Sequence, residues 1–287
     1  MLVDFDELWD YSQPGKTEEQ FRALLTGAEE SGDVSYLAQL LTQIARTQGL
    51  QGDFGGAHRT LDRVDALLSD GLPVPRIRVL LERGRALNSS GNPEASIQYF
   101  LEAWELARKH GEDFHAIDAA HMLGTVEPPT EQLTWSTRAL ELAESSEQAR
   151  ARTWLGPLYN NLGWSYHDLG RYEEALKLFT RGLAWRREQE QPRETRIAAW
   201  AVARCLRSLG RFEEALDLQR ENLRAANDAG DAGGVIEEEI GECLVALGRA
   251  TEARQHFHRA YQELSNDNWL VEHEEARLKR LQEMARR

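Results

Sequence analysis

Residues 159–182 read YNNLGWSYHDLGRYEEALKLFTRG: a helix, a tight turn at Leu169-Gly170-Arg171, and a second helix. Weaker versions of the stretch recur along the chain, and their turn glycines set a ruler. Gly52 precedes Asp53-Phe54-Gly55-Gly56-Ala57, Gly91 precedes Asn92-Pro93-Glu94-Ala95-Ser96, and Gly170 precedes Arg171-Tyr172-Glu173-Glu174-Ala175. Gly210 and Gly248 open the equivalent runs ending at Ala215 and Ala253. The intervals are 91 − 52 = 39, 170 − 91 = 79, 210 − 170 = 40 and 248 − 210 = 38 residues. The interval of 79 is two periods, so a further unit turns at Glu127-Pro128-Pro129-Thr130, where prolines replace the glycine and Thr130 is the expected helix cap. Six helical hairpins are predicted between about 33 and 266.

Small residues recur where such helices must cross. Ala45, Gly84, Ala120, Gly163, Ala203 and Gly241 share one slot of the first helix, and Ala57, Ser96, Ala175, Ala215 and Ala253 one slot of the second. Helices packed about 8–10 Å apart need small side chains there. Tyr159, Leu162-Gly163, Tyr166, Ala175 and Phe179 together resemble the tetratricopeptide repeat, with Gly182 departing from its last small slot. The resemblance covers roughly 33–266. It implies an all-α, right-handed superhelical solenoid. The period exceeds the family's usual ~34 residues, which is similar to the long-repeat kinesin-light-chain-like proteins and bacterial sensor domains. Arg83 stands where leucine is usual and Gln219 where an aromatic is usual, and Gly156-Pro157 should kink or delay the first helix of the fourth unit. The register around 113–146 is open by about one residue. The expected layout is an acidic, aromatic tail (1–16), an N-terminal capping helix (17–32) started by Thr17, the array (33–266) and a C-terminal capping helix (267–287).

Composition narrows the function. A net charge of −14 disfavours nucleic acid or an anionic membrane as partner, since both need an excess of Lys and Arg. Two cysteines, no basic leader before Pro14 and no long apolar run fit a cytoplasmic chain that does not span a membrane. Cys205 and Cys243 are 243 − 205 = 38 residues apart, one period, and read as equivalent core residues rather than a disulfide. His256 and His258 diverge on a helix, and His115, Asp118 and His121 share a face but would need another helix to complete a metal site. No catalytic constellation, cofactor or metal is expected.

The resemblance implies that the first helices line a concave groove. Laying the repeat register on each unit points Arg46, Arg85, Asn88, His121, Asn160, Trp164, His167, Trp200, Arg204 and Arg207 into it. One slot alone carries Arg46, Arg85, His121, Trp164, Arg204 and Glu242. Arginine takes carboxylates bidentately, asparagine bonds an extended backbone, and tryptophan anchors apolar side chains. The expectation is a noncatalytic scaffold that binds a protein or peptide, acidic or partly apolar. The other use of these arginines is to buttress neighbouring helices through acids such as Asp118. A peptide-sensing module and an adaptor that homodimerises through its ends are the alternatives. Asn160 and Trp164 do not reproduce the Lys/Asn carboxylate clamp of chaperone-binding relatives. Glu7-Leu8-Trp9-Asp10 resembles tryptophan-plus-acid peptides bound by long-repeat relatives, so the tail either occupies the groove or packs Phe5, Leu8 and Trp9 on the capping helix.

Overall fold

The computed structural model describes residues 2–69 and 71–286; Met1 and Arg287, the outer ends of the expected tail and cap, lie outside them. Its described residues are helical or irregular, with no strand. The chain divides into two compact units, 1–154 and 155–287.

In the first unit α1 (Pro14–Ala23) and α2 (Leu25–Ser31) precede three hairpins. These are α3/α4 (Val34–Leu50, Phe54–Asp65), α5/α6 (Pro73–Ser89, Pro93–His110) and α7/α8 (Asp113–Val126, Pro129–Ser145), followed by a short α9 (Ala149–Arg152). The second unit holds α10/α11 (Leu155–Asp168, Tyr172–Glu188), α12/α13 (Pro192–Ser208, Phe212–Ala229) and α14/α15 (Gly234–Ala246, Ala250–Leu264). Two further helices, α16 (Asn268–His273) and α17 (Glu275–Arg286), complete it. Six hairpins are therefore present among the described residues, including the one predicted over the prolines.

The local reasons are plain. Pro14, Pro73, Pro93, Pro129 and Pro192 each stand in the first turn of a helix, where a missing N–H costs nothing. Asp33 and Asp53 cap α3 and α4 by accepting from Tyr36 N (2.9 Å) and Gly56 N (2.8 Å). The five ruler glycines have φ between 72° and 88°, the left-handed region that disfavours side chains. A second ladder ends the long second helices. Gly111 and Gly230 are left-handed at φ 70°, and Glu190 holds the same slot at φ 53°, each twenty residues after its turn glycine.

Several expectations are corrected. Thr130 lies inside α8, whose cap position is Pro128. Thr17 also caps nothing. Pro14 starts the helix a turn earlier, and the buried Thr17 hydroxyl bonds Asp10 instead, donating to its carbonyl at 3.1 Å. The helix expected over 17–31 breaks at Leu24, whose N–H turns back to Phe21 O. At the other end Glu274, at φ −127°, interrupts what the sequence suggested was one helix from Trp269. Pro157 falls in the first turn of α10, so the expected delay in that helix is simply a start at Leu155.

The hairpins close on a steric pairing that recurs with an offset of sixteen residues. Gly84 faces Phe100, Gly163 faces Phe179 and Gly241 faces Phe257. Where the first helix carries alanine, at Ala45, Ala120 and Ala203, the residue sixteen later is Leu61, Ser136 or Gln219. A Cβ on Gly163 would sit 2.5 Å from the Phe179 ring, well inside van der Waals contact. Cys205 and Cys243 are buried free thiols of the second core, pushed up to about 11 and about 12 chiefly by burial. Leu278 and Leu281 of α17 join that core.

Candidate interaction surface

In the first unit the first helices carry a buried net of charges. Arg46 of α3 donates to Glu82 of α5 at 3.2 Å. Arg85 bonds Glu82 and both oxygens of Asp118 on α7 at 2.5 Å. Arg85 and Asp118 side chains are 15% and 12% exposed, so solvent screens the pair little. Burial opposes the ionisation of Asp118, but Arg85 and Arg46 outweigh it and its pKa lies below the ordinary value. His121 rests against Trp154 (5.2 Å between centroids), and burial lowers its pKa. Asn88 is half-buried on the same helix as Arg85. Arg46 and Arg85 thus bridge neighbouring helices.

The N-terminal segment lies over this face. Phe5 is buried between Phe21 and Tyr36, and Trp9 meets Phe21 edge-on, so the segment packs on α1. It also reaches further. The Trp9 indole donates to Gln43 at 3.0 Å, and Arg46 lies over the rings of Trp9 and Tyr11. Asp6 accepts both terminal nitrogens of Arg78 (3.2 and 2.7 Å) and one from Arg150 (2.6 Å). Burial works against the Asp6 charge, yet these partners hold its pKa below the usual carboxylate range.

The second unit presents a different surface. Trp164 of α10 and Trp200 of α12 stand 5.8 Å apart, both half-buried. Trp164 is braced by Phe179 (4.9 Å) and His167 (5.1 Å). His167 shares Ser208 with Arg204, at 2.9 and 2.8 Å, and burial, then the Arg204 charge, lowers its pKa. Arg207 clasps buried Glu239 of α14 through two bonds (2.7 and 3.0 Å), and Arg204 approaches the same carboxylate at 3.3 Å. Beside Trp200 opens a cavity of about 580 Å³ lined by Ile197, Val235 and Ile236 and by Arg193, Arg196 and Arg277, of which Arg196 is paired with Asp231 and Arg277 with Glu238 and Glu274. Ile197 is 51% and Val235 39% exposed. Asn160 lines a separate cavity of about 270 Å³ among α10, α11 and α12.

Four expected residues therefore lie in the first unit and six in the second. The sequence reading passed over Glu82 and Glu239, which neutralise the arginines. Their signal was present: Gln43, Glu82, Asp118 and Glu239 each stand three residues before the slot of Arg46, Arg85, His121 and Glu242. Arg78, Arg150 and Trp154 had no repeat signal. Among the described residues no group of three or more His, Cys, Asp or Glu is placed to hold a metal ion, and no helix is long and apolar enough to cross a membrane.

Residues 77–110 and 154–228 each match a tetratricopeptide repeat model. A search of curated proteins finds no match. The fold is similar to that of a signal transduction ATPase with a tetratricopeptide repeat sensor from Pyrococcus horikoshii (TM-score 0.74, 15% identity, covering 92% of this chain and 42% of that one). It is also similar to apo RapI (0.73, 12%, 92% and 76%) and to the quorum sensor NprR from B. thuringiensis (0.63, 16%, 96% and 78%). This chain thus spans less than half of the archaeal protein.

Proposed function

From a chain that carries tetratricopeptide repeats in both of its units, we propose a noncatalytic interaction scaffold that takes a partner's peptide on the first-helix face of the second unit. The observation that carries this reading is the half-buried Trp164–Trp200 pair beside exposed Ile197 and Val235, with Arg193 among the residues that line the cavity. Large aromatics in a partly dry groove are low-entropy anchors for apolar side chains, and arginine supplies carboxylate recognition at the edge. A peptide with an apolar residue flanked by an acid fits that chemistry. The net charge of −14 makes nucleic acid a poor partner. A peptide-sensing module would use the same face and differ only in its response to binding. A homodimer formed through the ends would leave that face open.

The test is selection of peptides from a random library on the full chain, followed by calorimetric titration of the winners. Trp200→Ala and Trp164→Ala should each weaken binding at least tenfold at an unchanged far-UV spectrum. Winners that bind both variants as tightly as the parent would remove the second-unit face from consideration.

A further inference from the structure

The two cavities of the second unit are one site repeated. Gly156, Pro157, Asn160 and Arg186 line the smaller, and Arg196, Ile197, Trp200 and Ala226, each 196 − 156 = 40 residues later, line the larger. The turn glycines Gly170 and Gly210 are separated by the same interval. The facing walls correspond too. Ile197 and Ala198 of the smaller cavity match Val235 and Ile236 of the larger, 235 − 197 = 38 residues on, the interval from Gly210 to Gly248. Ile197 lines both, an exposed ridge between neighbours.

The difference in size has a side-chain cause. Arg186 fills the place that Ala226 leaves open, so the cavities measure about 270 and about 580 Å³. Any side chain at Gly156 would collide with the Arg186 guanidinium, and the glycine is what admits it.

Their chemistry differs as well. The larger cavity has Trp200, Ile197, Val235 and Ile236 as apolar walls, and two of its arginines already hold carboxylates. The smaller is polar and carries one charge of each sign, Arg186 and Glu194. Arg186 donates Nη1 to Gln191; among the described residues its Nε and Nη2 have no acceptor, and neither is buried. The Glu194 charge acts on Arg186 through space, and among the described residues its carboxylate receives no hydrogen bond. Asn160 donates Nδ2 to Asn161 Oδ1 at 3.2 Å, which leaves Asn160 Oδ1 and Asn161 Nδ2 for a ligand. Open donors and open acceptors thus line one small space of zero net charge. A charged side chain meets its like there as well as its opposite. A carboxamide, with a carbonyl oxygen and an NH₂ group, answers both.

The spacing selects a conformation. Equivalent cavities are one repeat apart, the ~8–10 Å of packed neighbouring helices. A polyproline II chain rises ~3.1 Å per residue with three residues per turn, so residues i and i+3 share a side ~9.3 Å apart. Same-side residues of a β-strand are ~6.7 Å apart and fall short.

We propose that the second unit reads two side chains three residues apart on one extended peptide, a carboxamide in the Asn160–Arg186–Glu194 cavity and a large apolar group in the Trp200 cavity. The inference rests on the peptide reading above and adds the second anchor, its chemistry and its spacing.

The probes are acetyl-Gln-Pro-Pro-Phe-Asp-amide and its reverse, acetyl-Asp-Phe-Pro-Pro-Gln-amide, titrated calorimetrically into the full chain. Counterparts carry Glu or Leu for Gln, or one proline fewer. One of the two Gln peptides should bind at a single site, at least tenfold tighter than its Glu, Leu and shortened counterparts. Glu194→Gln, at a half-buried position in the first turn of α12, leaves the Arg186 charge unopposed, so the Glu peptide should come within threefold of the Gln peptide. Trp200→Ala should weaken all probes alike. A Gln peptide bound no tighter than its Glu and Leu counterparts, or a Glu-to-Gln ratio that Glu194→Gln leaves unchanged, overturns the proposal; the peptide reading survives that result wherever Trp200→Ala still weakens binding. Failure of both Gln peptides to bind overturns the proposal too, and the peptide reading then stands or falls by its library selection.

Discussion

Gly163→Ala probes the packing rule and the interaction surface together. In a helix interior the change is ordinarily favourable by about 1 kcal/mol, because alanine has the higher propensity. Here the new methyl would meet Phe179 Cε1 at 2.5 Å, Cδ1 at 2.7 Å and Cζ at 3.0 Å. Carbon pairs rest near ~3.5–4.0 Å, so the overlap is about 1 Å. Phe179 is 2% exposed and has Trp164 4.9 Å away on one side, so the ring moves only by disturbing the core or that indole. Overpacking costs about 1–3 kcal/mol, and the depth of overlap argues for the upper end. The net expectation is a loss of about 2 kcal/mol once the propensity gain of ~1 kcal/mol is subtracted. Adding Phe179→Leu recreates the Ala45–Leu61 arrangement, and the double variant should lose less than the sum of the singles by about 1 kcal/mol or more. Urea unfolding followed by far-UV circular dichroism reads all four corners of the cycle. A higher midpoint for Gly163→Ala, or strict additivity, would refute the steric pairing.

Glu190→Gly should raise stability by about 1 kcal/mol, because Glu190 bears the left-handed cost that Gly111 and Gly230 avoid in the same slot; a thermal melt that shows no rise contradicts this. Arg85→Glu should cost about 3–5 kcal/mol, since it strips Glu82 and Asp118 of their shared buried partner, and a variant as stable as the parent would deny the net its structural role. Lowering pH should destabilise the chain in two stages. His115, His121 and His167 have folded pKa values below the ordinary one, chiefly through burial, so from about pH 6.5 downward the unfolded chain takes up protons that the fold refuses. Glu112, Arg78, Asp118 and Arg150 all act on His115. Asp6, Asp118 and Glu237, also depressed, add a second loss below about pH 4 as their ion pairs are protonated. Melting temperatures between pH 8 and pH 3 check the sign, and His115→Gln should flatten the upper stage; a melting temperature that climbs as pH falls contradicts it.

Read alone, the sequence determined the repeat. Glycines at intervals near 39 residues and small residues at the crossings leave little choice, because only a residue without a side chain takes the left-handed turn and only a small one admits close helices. It also ranked the side chains on the first-helix face, since one slot per period gathers Arg46, Arg85, His121, Trp164 and Arg204. What periodicity does not carry is which of these are neutralised. Arg85 and Trp164 occupy the same slot, yet Arg85 is closed into a buried net by Asp118, 33 residues away, while Trp164 stands half-buried against Trp200. That difference depends on partners from neighbouring hairpins. The three-residue offset of Glu82, Asp118 and Glu239 becomes meaningful only once adjacent first helices stand side by side. The contacts of Asp6 with Arg78 and with Arg150 came from tertiary structure alone. They join segments outside the period, 72 and 144 residues apart, where no repeat rule reaches.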